Sequence, residues 1–405
     1  MIFSISWRNI WRNKTRSFVV ITAVALGICA GMFSTSFMKG MMDQRIRQAI
    51  STEISHIQIH RQGYRQENSL QLFMNGSPAM VGKIRKINHV KGVSQRIIIQ
   101  SMVSSAETSS GVKIAGIYPD NEQDVTNLST KIVEGKYFDG VPKNPVVVSI
   151  KLAEKLNVKL HSKIVFTLQD MDKNITAGAF RIAGLFETPN SVYDEMNVFV
   201  RHDDLSRLLD FPEGASHEIA ILVDDNDMIA SVQDEVKNMV ADYEVLNWKE
   251  ISPEMSYMTE IMDMYMYIFI IIILLALLFG IINTMLMVIL ERVKEIGMLM
   301  AVGMNKLKIF TMIMVETVQL SLVGGVAGIV VGSLISKHFE THAINLSLWA
   351  KGYSQLGYDT MAYCSLETEM VINITVLVIF TGIIAALYPA YKALKYDPAE
   401  ALRME

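Results

Sequence analysis

Few side chains in this 405-residue chain have the chemistry to hold a metal or move a proton, and they are poorly spaced for it. His56 and His60 stand four apart, the interval that on a helix would aim two imidazoles at one ion. Between them Ile57-Gln58-Ile59 alternates in polarity, which predicts one face of a strand instead. His89, His161, His202 and His217 are scattered, and all six are expected on a solvated surface. Asp224, Asp225 and Asp227 lack the glycine and the distal glutamate of a calcium loop. Cys29 and Cys364 are the two cysteines, too few for a disulfide framework or a multi-thiolate metal site. No segment reads G-x-x-x-x-G-K-[ST], the loop whose amides and lysine cradle a nucleotide. The expectation is a chain with no catalytic residues, no metal and no cofactor of its own.

Composition says where such a chain belongs. Hydrophobic residues make up 51% and charged residues 19%, with a mean hydropathy of +0.29. That balance points to a membrane, and a net charge of −4 argues against a nucleic-acid partner. A bilayer core about 30 Å thick needs about 20 helical residues. Residues 17–38, 264–290 and 370–391 carry no charge, and 309–336 is interrupted only by Glu316. Four spans are therefore predicted. Glu316 is expected to snorkel or to pair with Lys308 or Arg292 rather than to shuttle protons.

Basic residues in short flanks set the orientation. Residues 1–16 hold Arg8, Arg12, Lys14 and Arg16, and 291–308 holds Arg292, Lys294, Lys306 and Lys308; both are predicted inside. The tail, 392–405, returns to the same side after four crossings. Residues 41–260 carry 23 basic against 30 acidic residues and are predicted outside. Leu26-Gly27-Ile28-Cys29 resembles a lipoprotein cleavage box but fails at Ile28, so the first span reads as an uncleaved anchor and the mature chain is expected to begin near Met1. Ahead of it, Phe3, Trp7, Ile10 and Trp11 share a helical face opposite Arg8, Asn9, Arg12 and Asn13, which suits an amphipathic elbow in the headgroup region.

The outer segment, 39–263, changes character. Short β-branched runs such as Val112–Ile117, Val146–Val148, Ile164–Leu168, Phe180–Phe186 and Ile219–Val223 alternate with turn residues and with helical stretches near 150–156 and 228–240. This is the pattern of a large α+β domain. Met38, Met42, Ile46 and Ala49 prolong the helical spacing of the first span, and Met255, Met258, Met262 and Met266 approach the second the same way, so a helical stalk is predicted without flexible linkers. A modest outer loop, 337–369, separates the last two spans.

Small residues recur at four-residue spacing: Ala23, Gly27 and Gly31; Ala276 and Gly280; Gly324, Gly328 and Gly332. Such stripes let helix backbones approach, within the chain or between two copies. Of 27 methionines, Met38, Met42, Met262 and Met266 cluster at the outer ends of the first two spans. They are candidates to border a cavity for acyl chains, with stalk packing as the alternative.

At 291–303 the chain reads ERVKEIGMLMAVG, followed by Asn305, Lys306, Ile309, Glu316, Leu320–Leu322, Gly324, Gly325 and Gly328. With Trp7-Arg8-Asn9 at one end and Tyr388-Pro389-Ala390, Ala393 and Asp397–Arg403 at the other, this resembles the permease domain of type VII ABC transporters, the family of FtsX, MacB, LolC and LolE. The order of elements around Gly111–Pro119, Leu152–Val158, Phe180–Phe186, Tyr193-Asp194 and Trp248-Lys249-Glu250 is most similar to the lipoprotein-releasing permeases LolC and LolE, and similar to MacB too. The chain departs from them at Thr188-Pro189-Asn190, where those permeases usually show a glycine.

The resemblance implies a non-catalytic permease in the bacterial inner membrane, with a separate cytoplasmic ATPase binding ATP and Mg, and a second permease chain, same or paralogous. Through the family, 291–303 is expected to couple to that ATPase, with Ile296, Met298, Leu299 and Val302 as an apolar face, Glu291, Arg292, Lys294 and Glu295 as a charged one, and Gly297 and Gly303 within the same segment. Release of lipoproteins from the membrane, with a periplasmic chaperone as a further partner, is the expected function. The alternatives are MacB-like export of peptides or drugs and FtsX-like control of a cell-wall hydrolase.

Overall fold

A computed structural model describes residues 2–12 and 14–395. Met1, Asn13 and the tail residues 396–405, including Asp397–Arg403 of the family resemblance, lie outside the described residues. The chain divides into two compact units.

The first unit comprises residues 1–43, 259–345 and 361–405. It is helical. An elbow helix (Ile2–Arg12) leads to a first long helix (Lys14–Ala49), and Pro253–Glu291, Lys306–Thr341 and Thr368–Ala393 follow as the second to fourth. All four are long and apolar enough to cross a membrane. Their shared core is Val20, Val24, Ile28, Met32, Ile270, Leu274, Ile281, Met285, Leu320, Ile374, Val378 and Ala385. Many other apolar side chains of these helices, Phe279 and Leu334 among them, face outward, as lipid-facing positions should. Elbow residues Phe3, Trp7 and Trp11 are exposed while Ile10 turns into the core, so the predicted face is split by one residue. Ser6 Oγ donates to the Met312 carbonyl at 3.1 Å and ties the elbow to the third helix.

The second unit, residues 44–258 with 346–360, is α+β. Its strands are β1 (Ile57–Arg61), β2 (Val90–Ser104), β3 (Ser109–Ile117), β4 (Ile132–Gly135), β5 (Pro145–Ser149), β6 (Lys163–Gln169), β7 (Ile175–Phe186), β8 (Asn197–Arg201), β9 (Glu218–Val223) and β10 (Tyr243–Asn247). They form one sheet in the order β10-β1-β9-β2-β3-β8-β5-β7-β4, and β6 joins β2 to β7. That extra strand closes β2, β3, β8, β5, β7 and β6 into a ring. The ring is filled by alternate side chains, among them Val112, Ile114, Val146, Val148, Ile164, Phe166, Phe180, Ile182, Val198 and Val200, which is what a two-residue period dictates once a sheet closes.

The open part, β10-β1-β9 with the start of β2, places Ile57, Ile59, Ile219, Ile221, Val93 and Val245 against the helices Ser77–Ile84 and Ile229–Met239. Part of the connection between the third and fourth long helices belongs to this unit as well. Leu346–Thr360 folds onto it, with its helix Ala350–Gln355 against the helix Ser191–Met196.

The histidines overturn the expectation of a solvated surface. His56, His60, His202 and His217 are buried, and only His89 and His161 of the six are exposed. The reason is tertiary: the strand face carrying His60 is covered by the short helix Tyr64–Glu67, and the Tyr64 ring stacks between His60 and His217 at centroid distances of 5.4 and 5.1 Å. Asp224, Asp225 and Asp227 are exposed. Among the described residues no three metal-ligating side chains converge.

Candidate coupling site

Between the second and third long helices the chain turns in a short knob. Val293–Ala301 forms one helix, and its end is closed by hydrogen bonds from Met304 N to the Leu299 carbonyl and from Gly303 N to the Met300 carbonyl, both 3.0 Å. This paired pattern needs a left-handed residue after the helix, and Gly303 supplies it with φ +95°. Two residues later the Asn305 side chain accepts from Leu307 N at 3.0 Å and caps the third helix. The turn is thus specified at both ends by local chemistry.

The predicted apolar face does not act as one surface. Ile296 is buried with Ile289, Ile309, Ile313, Ala390 and Ala393, and Leu299 packs against the same cluster. Val293 and Gly297 are buried beside it. Met298 and Val302, by contrast, stand 56% and 84% exposed, and Leu307 adds a third exposed apolar side chain at 68%. Ile296 and Leu299 anchor the knob to its own chain while Met298, Val302 and Leu307 remain uncovered. A wide apolar stripe wraps the helix, and only packing decides which part is satisfied internally.

Charge braces the knob from behind. Arg292 Nη1 donates to both carboxylate oxygens of Glu316 at 3.0 and 3.1 Å, and its Nε donates to Glu295 at 3.0 Å. Glu295 also accepts from Arg12 of the elbow helix. Burial alone would raise the Glu295 pKa, but hydrogen bonds from Arg292 and Arg12 hold it below the ordinary value. The chain Arg12–Glu295–Arg292–Glu316 links elbow, knob and third helix, and these residues border a cavity of about 220 Å³ with Asn9, Ser17 and Leu320. Glu316 thus pairs with Arg292, one of its two expected partners. The tie from Arg12 to Glu295 was not foreseen, because no sequence spacing signals a contact between residues 283 positions apart. Glu291 and Lys294 are exposed on the outer side of the knob.

The small-residue stripes fall into two groups. A Cβ on Gly328 would sit 2.7 Å from the Ala25 carbonyl oxygen, and one on Gly324 2.9 Å from that of Ile21. Gly332 meets Cys29 and Met32 in the same way, so this stripe receives the first long helix of the same chain. Ala23, Gly27, Ala276 and Gly280 instead line an apolar groove of about 330 Å³ between the first and second helices. Gly27 and Gly31 nonetheless face the second helix of the same chain, where a Cβ would meet Leu277 at 2.8 Å and Ile273 at 3.2 Å, whereas Gly280 has nothing near its Cβ position. Of the four methionine candidates, Met42 is buried and Met38 and Met262 are half-buried. Met266 lines a cavity of about 190 Å³ whose walls include Lys39, Asp263, Glu367 and Glu369 as well as Ile270 and Ile374.

Comparison with known proteins agrees with this architecture. Residues 17–239 match the MacB-like periplasmic core domain and residues 267–398 the FtsX-like permease C-terminal domain. An uncharacterised ABC transporter permease of Methanocaldococcus jannaschii is 25% identical, over 72% of this chain and 69% of its own. The uncharacterised ABC transporter permease YknZ of Bacillus subtilis is 26% identical over 78% and 79%. The lipoprotein-releasing system transmembrane protein LolC of Buchnera aphidicola is 24% identical over 80% and 79%. With the periplasmic-core model matching more than half of the chain and the permease model following it, the chain belongs to the MacB/FtsX-like family of ABC transporter permeases.

Proposed function

We propose that this chain is the non-catalytic permease subunit of an inner-membrane ABC transporter that releases lipoproteins, driven by a separate cytoplasmic ATPase. Both termini and the knob lie in the cytoplasm and the α+β unit in the periplasm. One observation carries the coupling role: Met298, Val302 and Leu307 are exposed apolar side chains on a knob that is otherwise anchored by Ile296 and braced by Arg292. A folded protein has little reason to leave such a patch uncovered unless a partner covers it. The ATPase, holding ATP and Mg, is that partner. A second permease chain, same or paralogous, seats on the groove lined by Ala23, Gly27, Ala276 and Gly280. Membrane lipids surround the remaining helix faces, and Met38, Met42, Met262 and Met266 border the path of lipoprotein acyl chains.

Similarity to LolC supports lipoprotein release. The match of 17–239 to a MacB-like core supports a second reading, export of periplasmic peptides or drugs. The test is affinity purification of the full chain from detergent, with mass spectrometry of what co-purifies. An ATPase together with lipoproteins and a lipoprotein chaperone supports the first reading; an ATPase with a periplasmic adaptor supports the second, and with a cell-wall hydrolase FtsX-like regulation. Recovery without any ATPase overturns the coupling role.

A further inference from the structure

Two histidines stand apart from the six placed above. His338 lies in the last turn of the third long helix, and His342 is the residue that caps it. The interval of four that falls on a strand at His56 and His60 here falls on a helix, where residues four apart stand one above the other. Their rings accordingly stack, with centroids 4.3 Å apart and planes inclined by 11°. Both residues are exposed. The orientation is set by the residue beside them: Phe339 packs on Phe33 of the first long helix at a centroid distance of 5.8 Å, which turns His338 outward.

Hydrogen bonding decides which nitrogen carries the lone pair. His342 Nδ1 lies 3.1 Å from the His338 carbonyl oxygen and 3.0 Å from Thr341 Oγ1. A carbonyl oxygen only accepts, and the Thr341 hydroxyl directs its own proton to that same carbonyl at 3.1 Å. Nδ1 therefore carries a hydrogen, and in the neutral ring the lone pair sits on Nε2. Metal-bound imidazoles are held in this way, one nitrogen donating to a backbone oxygen while the other coordinates. The His338 ring, stacked one helical turn away, supplies a second nitrogen to the same point. The helix adds to the attraction, because its last carbonyls carry partial negative charge and stabilise a cation at this end. Lys337 and Glu340, the nearest charged residues in sequence, cancel each other.

We propose that His338 and His342 form a two-histidine site for a divalent transition-metal ion, with water in the remaining coordination positions. Imidazole ligands select copper, nickel and zinc over magnesium and calcium, which take oxygen ligands. Two protein ligands make an open site, so the ion is held less tightly than in a closed four-ligand one. Because both residues are exposed, the ion keeps most of its water and no charge has to be buried. A bound ion ties the cap residue to the turn before it. From His342 the chain runs into the short ladder that pairs Ile344 with Ala362 and Asn345 with Met361, so the ion fixes the point at which this connection leaves the helix. His338 lies about 50 Å along the third long helix from the knob at its other end. The site is therefore separate from the coupling surface, and it stands independently of which cargo the transporter moves.

The test uses the full-length protein in detergent, carrying no polyhistidine tag, titrated calorimetrically with Cu²⁺, Ni²⁺, Zn²⁺ and Mg²⁺. Saturable binding of the three transition ions is expected, tightest for Cu²⁺, with none for Mg²⁺. His338→Gln and His342→Gln should each weaken it about tenfold or more, since either change leaves a lone imidazole without its chelating partner. His161→Gln and His89→Gln, which remove the other exposed histidines, should leave it unchanged. Ni²⁺ should raise the melting temperature of the wild type and of these two controls, and not of the His338 and His342 variants. Absence of saturable transition-metal binding, wild-type affinity in His338→Gln or in His342→Gln, or a tenfold loss in either control overturns the proposal.

Discussion

Arg292 and Glu316 form a two-pronged ion pair in which one guanidinium nitrogen reaches both carboxylate oxygens, at 3.0 and 3.1 Å. Their side chains are 18% and 6% exposed, so the pair lies largely out of water. A buried pair adds little net stability against an apolar replacement, yet losing one member strands the other charge. Glu316→Ala is expected to cost about 3 kcal/mol, while the double replacement Arg292→Met with Glu316→Leu recovers most of that. Thermal unfolding in detergent measures both; equal losses in the single and double variants would show that the pair does not brace the knob.

Val302 is the most exposed apolar residue of the knob. Val302→Glu should leave the unfolding free energy within about 0.5 kcal/mol of wild type, as surface substitutions do. The same change places a charge on the patch assigned to the ATPase, and co-purification of that subunit should drop about tenfold or more. Leu299→Glu should fail differently, by destabilising the chain itself, since Leu299 packs inward.

Two glycines of like spacing separate close intrachain packing from an open groove. Gly328→Ala forces a methyl group against the Ala25 backbone and is expected to lose about 1–3 kcal/mol. Gly280→Ala meets nothing and should be neutral or gain up to about 1 kcal/mol from helix propensity. If the groove seats a second chain, bulky Gly280→Leu will reduce crosslinking between tagged copies or paralogues without lowering the melting temperature of the isolated chain.

Acid should loosen the α+β unit. Burial pushes His217 down to about 4, so the unfolded chain takes up its proton near pH 6.5 while the folded one resists. Stability is therefore complete above pH 6.5 and is lost as pH falls from there towards 4, by up to roughly 3 kcal/mol. His60 acts in the same direction. Asp194, raised to about 6 chiefly by burial, acts oppositely, because its folded form takes up a proton first and gains stability on acidification below pH 6. Asp194→Asn should thus steepen the acid-side fall in melting temperature and His217→Gln should flatten it; unchanged pH profiles in both would contradict these assignments.

Local signals carried much of the architecture. Four uncharged runs, the basic flanks of residues 1–16 and 291–308, and alternating β-branched segments led to the helices and the α+β unit because bilayer thickness and strand period act on short stretches of chain. The short connection at 291–308 was legible for the same reason, while the roles of Gly303 and Asn305 in closing the knob came only from the structure. Its working surface was not. Ile296 and Met298 look alike in a hydropathy pattern, and only the packing of Ala390 and Ala393 against the knob decides that Ile296 is spent internally and Met298 is not.

The amino-acid order alone determined four apolar segments of membrane-spanning length with a large α+β domain between the first and second, since hydrophobic length and strand period are properties of contiguous segments. Closure of the six-stranded ring by β6, burial of His60 and His217 and the tie from Arg12 to Glu295 were decided only by tertiary structure. Each depends on residues far apart in the chain whose mutual distance is set by packing, and no pattern within a window of residues encodes that distance.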